Sequence, residues 1–121
     1  MSIELFALSG LLVKHFIVDF PLQVPYHYKN KGTYGHPGGI AHAALHGLAT
    51  WSVFAMLGVG KGSLLAGLVD FVLHYHIDWA KMNLNENLGW GPTTHDEFWW
   101  LLGADQFLHQ ATYIFLIWAF V

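Results

Sequence analysis

Histidine and aspartate side chains recur in pairs, four residues apart, along this chain of 121 residues. The pairs are His15 with Asp19, His42 with His46, His74 with Asp78, and Asp105 with His109. Residues i and i+4 share one face of an α-helix, so each pair would project from one side of its helix. Imidazole nitrogens and carboxylate oxygens are ligands of zinc, iron and manganese. The spacing therefore predicts four helical faces that present metal ligands.

Each pair lies within a long apolar segment. Hydrophobic residues make up 55% of the chain and charged residues only 11%, against roughly 25% charged in ordinary soluble domains. The segments are predicted as helices at about 3–20, 40–57, 63–81 and 95–121, close to the roughly 17–25 residues that span a bilayer. We therefore expect one all-α domain over residues 1–121, folded as an up-and-down transmembrane bundle of four helices.

The alternating course of such a bundle would bring all four pairs to the same half of the membrane. A charged side chain at the centre of a spanning helix costs about 2.5–3.5 kcal/mol. Asp19, Asp78 and Asp105 would therefore face inward and need compensating positive charge. Lys81, three residues after Asp78, can supply one charge, and a divalent ion can supply more. The expected result is a buried His/Asp layer near one membrane face.

All members of the four pairs are candidate metal ligands: His15, Asp19, His42, His46, His74, Asp78, Asp105 and His109. Zinc is the favoured ion, and iron or manganese would also fit these donors. Eight ligands exceed the need of one tetrahedral ion, so either two ions bind or some residues orient the ligands. Asp19, Asp78 and Lys81 are candidates for catalytic roles. An interhelical hydrogen-bond network and a proton path are the alternatives.

The rest of the composition excludes several other kinds of site. The chain has no cysteine, which rules out disulfides and thiolate metal sites. It has no arginine, its five lysines are scattered, and its net charge is −3. A nucleic-acid interface is therefore not expected. The N-terminal MSIELF lacks the features of a signal peptide, so the first helix is expected to be retained.

Four stretches, HFIVDFPLQ, HAALHGL, HYHIDWAK and GADQFLHQ, follow one another along the chain. In this order they resemble a family of small bacterial and phage membrane proteins, domain of unknown function 3307, from about residue 11 to residue 116. The positions that match include Gln23, Lys81 and Gln106 besides the eight candidate ligands. The resemblance implies an integral membrane protein with these polar residues, and it implies no activity.

The resemblance and the lysine distribution together suggest a location in the bacterial inner membrane. Lys29, Lys31 and Lys81 lie on the side of the first and third loops, and Lys61 lies on the other side. Positively charged residues favour the cytoplasmic side. Loops 1 and 3, at about 21–39 and 82–94, are therefore expected to be cytoplasmic.

The function expected from the residues is that of a membrane metalloprotein whose zinc ion activates water to hydrolyse a lipid or lipid-linked substrate. A di-iron oxidase is the alternative enzyme. Two alternatives are not enzymes: a proton- or ion-conducting or transport protein, and a structural or accessory membrane subunit. Expected partners are the lipid bilayer, a lipid-like substrate and further copies of the chain or a larger complex.

Overall fold

The computed structural model describes all 121 residues and contains helices only. The helices are α1 (Ile3–Asp19), α2 (Pro25–Tyr28), α3 (Pro37–Met56), α4 (Gly62–Leu88) and α5 (Asp96–Phe120). The all-α part of the fold prediction agrees with this structure. Two features differ from the predicted bounds: the single-turn helix α2 was not predicted, and α4 continues seven residues beyond the expected end at Lys81.

Local sequence signals account for several of the helix ends. The Ser2 hydroxyl accepts a hydrogen bond from the Leu5 N–H at 3.2 Å and so caps the start of α1. Pro37 occupies the first position of α3, where a missing N–H costs no hydrogen bond. Gly89 ends α4 with φ at 68°, a left-handed conformation that glycine adopts without strain.

The four long helices pack as a ring in which α3 and α4 make the most extensive contact, and α1 and α5 close the other side. Gly47 and Gly67 let α3 and α4 approach closely. A Cβ atom on Gly47 would lie 2.8 Å from the Gly67 carbonyl oxygen, and one on Gly67 would lie 2.7 Å from the Gly47 carbonyl oxygen. This crossing therefore requires glycine on both helices.

The interior of the bundle is divided between an apolar and a polar part. The apolar core lies toward the end that holds both termini and consists of Leu11, Phe54, Ala66, Tyr113 and Leu116. Buried polar and charged residues outnumber buried hydrophobic ones, thirteen to nine. The interior therefore depends on hydrogen bonds, ion pairs or bound ions as well as on apolar packing.

The prediction of a transmembrane bundle, and with it the predicted membrane location, is wrong. No helix of the structure combines the length and the apolar character that crossing a bilayer requires. Helix α1 has 17 residues and contains Lys14 and Asp19. The histidines of α3 and the acidic residues of α4 and α5 lower the hydropathy of those helices. The residues that suggested an intramembrane site are thus the ones that interrupt the apolar segments.

Candidate metal centre

The four long helices bring members of all four predicted pairs together in the polar part of the interior. The end of α1 contacts the first half of α3. The middle of α4 contacts both of these helices, and the middle of α5 contacts α4. The side chains that meet there are Asp19 from α1, His42 and His46 from α3, His74 and Asp78 from α4, and Asp105 and His109 from α5. The antiparallel arrangement therefore places residues distant in sequence at one level of the bundle.

Asp19, His42, His46 and His74 form what we call the first ligand group. One donor atom from each lies within 4.8 Å of the other three. The Oδ1 atom of Asp19 lies 2.7 Å from His46 Nε2, 3.2 Å from His42 Nε2 and 3.9 Å from His74 Nε2. Donors around a tetrahedral zinc ion are about 3.4 Å apart when the bonds are about 2.0–2.1 Å long. These four side chains could therefore hold a metal ion after only small adjustments.

His74, Asp78 and His109 form the second ligand group. Asp78 Oδ2 lies 3.2 Å from His74 Nε2, and Asp78 Oδ1 lies 3.1 Å from His109 Nε2. The His74 ring stacks between two others, with its centroid 3.6 Å from that of His46 and 3.9 Å from that of His109. The two groups are therefore neighbours that share His74.

Several donor atoms of the two groups, and one of the neighbouring Asp105, are buried without a hydrogen-bond partner. They are both ring nitrogens of His42 and of His74, Oδ2 of Asp78 and Oδ1 of Asp105. Their neighbours lie close, but not in the geometry of a hydrogen bond. A buried polar group left unpaired costs about 1–3 kcal/mol. The donors in the two groups can satisfy this need by binding an ion, and buried His/Asp clusters of this kind can hold one.

The protonation states suit metal binding in the first ligand group. Burial lowers the pKa of His46 and of His74 to about 3, so both rings are neutral near pH 7. Burial alone would raise the pKa of Asp19, but contacts with His42 and His46 outweigh it and hold that pKa well below its usual value. Metal ligands must be deprotonated, and Asp19, His46 and His74 already are at neutral pH.

His109 differs from the other histidines of the cluster. Burial alone would lower its pKa, but contacts with Asp105 and Asp78 outweigh burial and raise the pKa to about 9. Contacts with His74 and His109 outweigh burial and keep the pKa of Asp78 low. In the absence of a metal ion, His109 therefore supplies a positive charge to the second ligand group.

Lys14 is a charged residue of the centre that the sequence did not single out. Its Nζ lies 3.0 Å from His46 Nδ1 and 2.7 Å from Asp70 Oδ2, and the Thr50 hydroxyl donates to the same Asp70 oxygen. An ammonium group can only donate, so His46 Nδ1 accepts and His46 Nε2 donates its hydrogen to Asp19.

Burial lowers the pKa of Lys14, and the contact with Asp70 opposes this effect. In the sequence, Lys14 is a charged residue beside His15 within an apolar segment, and this position is the signal by which it could have been found.

His15 does not belong to either ligand group. Its Nδ1 lies 2.7 Å from the Tyr113 hydroxyl, and its Nε2 lies 2.8 Å from Gln106 Oε1 and 3.1 Å from Asp19 Oδ2. Both ring nitrogens therefore have partners within the protein. The structure places His15 where it orients Asp19, the role that the sequence left open for some of the eight residues.

Two further lysines, Lys81 and Lys31, belong to neither ligand group and contact carboxylates of the metal centre. Lys81 lies 3.7 Å from Asp105 Oδ2, so it compensates Asp105 and not Asp78. Asp78 is instead contacted by Lys31, at 3.4 Å, whose Nζ also donates to Gln23 Oε1. Lys31 was interpreted from the sequence only as a loop residue.

Comparison with known proteins identifies the family but no characterised relative. No curated protein and no solved structure matches the chain. The model of the family described as "Protein of unknown function (DUF3307)" matches residues 7–121, which confirms the resemblance read from the four motifs. The match covers nearly the whole chain, including every residue of both ligand groups, and this protein therefore belongs to the DUF3307 family.

Proposed function

We propose that this protein is a metalloprotein that binds a divalent ion in the first ligand group and uses it to activate water for hydrolysis. The observation that carries the proposal is the set of buried, unpartnered nitrogens of His42 and His74, which converge with His46 on Asp19. A hydrogen-bond network alone would leave these nitrogens unpaired in the interior. An ion supplies a partner for one nitrogen of each ring.

Zinc is the ion that suits this donor set best. Three imidazoles and one carboxylate match the nitrogen and oxygen ligands of zinc, and the short donor separations suit a tetrahedral ion. Iron and manganese accept the same donors but usually take more ligands. Magnesium and calcium are disfavoured because they bind oxygen atoms almost exclusively.

Hydrolysis follows from what a bound zinc ion does to water. Zinc lowers the pKa of its bound water to about 7, so hydroxide is available at neutral pH. Asp78 lies next to the first ligand group, 3.5 Å from His42 Nε2 and 3.2 Å from His74 Nε2, and its Oδ2 has no hydrogen-bond partner. Asp78 would accept the proton of the water, while Asp19 holds the ion.

A structural zinc site is the second candidate function, and the burial of the ligands favours it. The four side chains of the first ligand group are at most 9% exposed. Four protein ligands complete a tetrahedron, whereas catalytic zinc sites keep one position for water. In this role the ion would hold α1, α3 and α4 together, and the protein would catalyse no reaction.

Metal analysis of the purified protein and of a matched pair of variants tests metal binding. We expect stoichiometric zinc in the wild type and in His76→Gln, and its loss in His74→Gln. His76 lies on the same helix, is exposed and contacts Tyr34 rather than the cluster. Folded wild-type protein that takes up no divalent ion would overturn the proposal.

Hydrolysis of p-nitrophenyl acetate and p-nitrophenyl phosphate by the zinc-loaded protein separates the two candidate functions. Turnover that Asp78→Asn abolishes while zinc remains bound would support the hydrolase. Zinc that raises the melting temperature without any turnover would support the structural site.

A further inference from the structure

The two carboxylate oxygens of Asp78 face different histidines. Oδ2 lies 3.2 Å from His74 Nε2 and 3.5 Å from His42 Nε2, on the side of the first ligand group. Oδ1 lies 3.1 Å from His109 Nε2, on the other side. A carboxylate placed in this way can bind one ion through each oxygen. This geometry is that of a bridging ligand between two metal positions.

We propose that a second divalent ion binds between His109, Asp78 and Asp105, and that the centre is therefore dinuclear. Asp78 is then the bridge between the ions, and this role replaces that of proton acceptor beside a single ion. The inference rests on the proposed function, since the bridge requires an ion in the first ligand group. Dinuclear hydrolytic centres hold their ions about 3.5–4 Å apart, a separation that one carboxylate can span.

Asp105 completes the second position. Its Oδ1 lies 3.4 Å from His109 Nε2, is buried and has no hydrogen-bond partner. Its Oδ2 is held from the other side by the Gln106 amide at 3.1 Å and by Lys81 at 3.7 Å. The carboxylate is thus oriented with one oxygen free toward His109. The side chain is 1% exposed, so bulk water does not reach that oxygen.

A cleft between α4 and α5 borders Asp105, one of the three residues of the second position. The cleft has a volume of about 360 Å³ and an apolar lining that includes Leu84, Leu101 and Leu108, and both Asp105 and Lys81 contribute to its wall. None of the four residues of the first ligand group lines it. The second position therefore lies nearer to this cleft than the first position does.

Titration with Mn²⁺ and metal analysis of the full chain test the second ion. We expect two ions per chain at saturation in the wild type, with an electron paramagnetic resonance spectrum of two exchange-coupled ions. Asp105→Asn should bind one ion and show an uncoupled spectrum. Asp96→Asn is the matched control, since Asp96 is an exposed residue of the same helix, and it should behave as the wild type.

The outcomes separate the second ion from the first. Saturation of the wild type at one uncoupled ion would overturn the dinuclear centre and leave the proposed function intact. No ion at all would overturn both. The wild-type stoichiometry and spectrum decide the matter even if Asp105→Asn does not fold.

Discussion

Lys14 and Asp70 form an ion pair in the interior, next to the first ligand group. Their side chains are 7% and 1% exposed, and the pair joins α1 to α4. Removing one partner of a buried pair leaves the other charge without compensation, at a cost of about 3–5 kcal/mol. We therefore expect Lys14→Met to lower the free energy of unfolding by about that amount, measured by urea denaturation of the metal-free protein.

A second substitution checks that the cause is the unpaired charge. Replacing both partners by apolar residues is often neutral or stabilising, so Lys14→Met combined with Asp70→Leu should be more stable than Lys14→Met alone. Lys61→Met, at an exposed lysine, should change little. A double variant as unstable as the sum of its single variants would mean that Lys14 acts through packing instead.

The candidate ligands could be found in the sequence because each pair lies on a single helix. The i, i+4 spacing depends only on helix geometry, and four pairs in one short chain predict convergence. The partners of Lys14 could not be found in this way, because His46 and Asp70 lie 32 and 56 residues away. Such contacts depend on how the helices pack, which a single sequence does not specify. For the same reason, the sequence could not show that His15 contacts Tyr113 and Gln106 and lies outside both ligand groups.

At the scale of helices, the close crossing of α3 and α4 positions the ligands. Gly47 lies next to His46, and α3 and α4 together contribute His42, His46, His74 and Asp78. Gly47→Ala would place a Cβ atom 2.8 Å from the Gly67 carbonyl oxygen and 2.9 Å from the Phe71 Cβ. We expect the helices to separate, with a loss of about 1–3 kcal/mol in stability and weaker zinc binding. Urea denaturation and zinc titration measure the two effects.

Gly103→Ala is the matched control on α5. A Cβ atom there would meet no atom within 4 Å. Alanine in a helix interior is more favourable than glycine by about 0.8–1.0 kcal/mol, so this variant should be somewhat more stable than the wild type. Equal zinc affinity in Gly47→Ala and Gly103→Ala would show that the crossing does not position the ligands.

The sequence predicted the four long helices but not all of their limits. The position of each apolar segment located α1, α3 and α5 to within a few residues. The predicted end of α4 is too early, because the polar residues after Lys81 suggest a loop. In the structure the helix continues to Leu88. The Asn83 side chain donates hydrogen bonds to the carbonyl oxygens of Gly32 and Trp79. Polar residues near a helix end can thus extend the helix when another segment supplies partners.

The whole molecule has an unusual distribution of polarity, and this explains the incorrect membrane prediction. Apolar side chains remain exposed on the outer faces of the helices, for example Trp118 at 80%, Trp100 at 68% and Phe107 at 66%. Much of the scarce polar and charged content lies inside, around the two ligand groups. Composition counts residues without locating them, so a polar interior with an apolar exterior produced the same composition as a spanning bundle.

The stability of the metal-free protein should depend on pH on both sides of a maximum. His46 and His74 have pKa values of about 3 in the folded state, against 6.5 when unperturbed. The unfolded chain therefore binds more protons as the pH falls below about 6.5, and stability decreases. His109 has a raised pKa of about 9. The contribution of His109 to the free energy of unfolding is complete below about pH 6.5 and is lost as the pH rises through 9.

Urea denaturation between pH 5 and pH 9, with a chelator present, measures this dependence. We expect the free energy of unfolding to be greatest near pH 6.5 and to fall toward both limits. In His109→Gln the decrease above pH 6.5 should largely disappear, because the residue that holds the extra proton is absent, while the decrease on the acid side should remain. His95→Gln is the control, since His95 is exposed and lies outside the cluster. Its free energy of unfolding should decrease toward both pH 5 and pH 9, as in the wild type. If the free energy of unfolding of His109→Gln decreases above pH 6.5 as much as that of the wild type, the positive charge of the second ligand group resides on another residue.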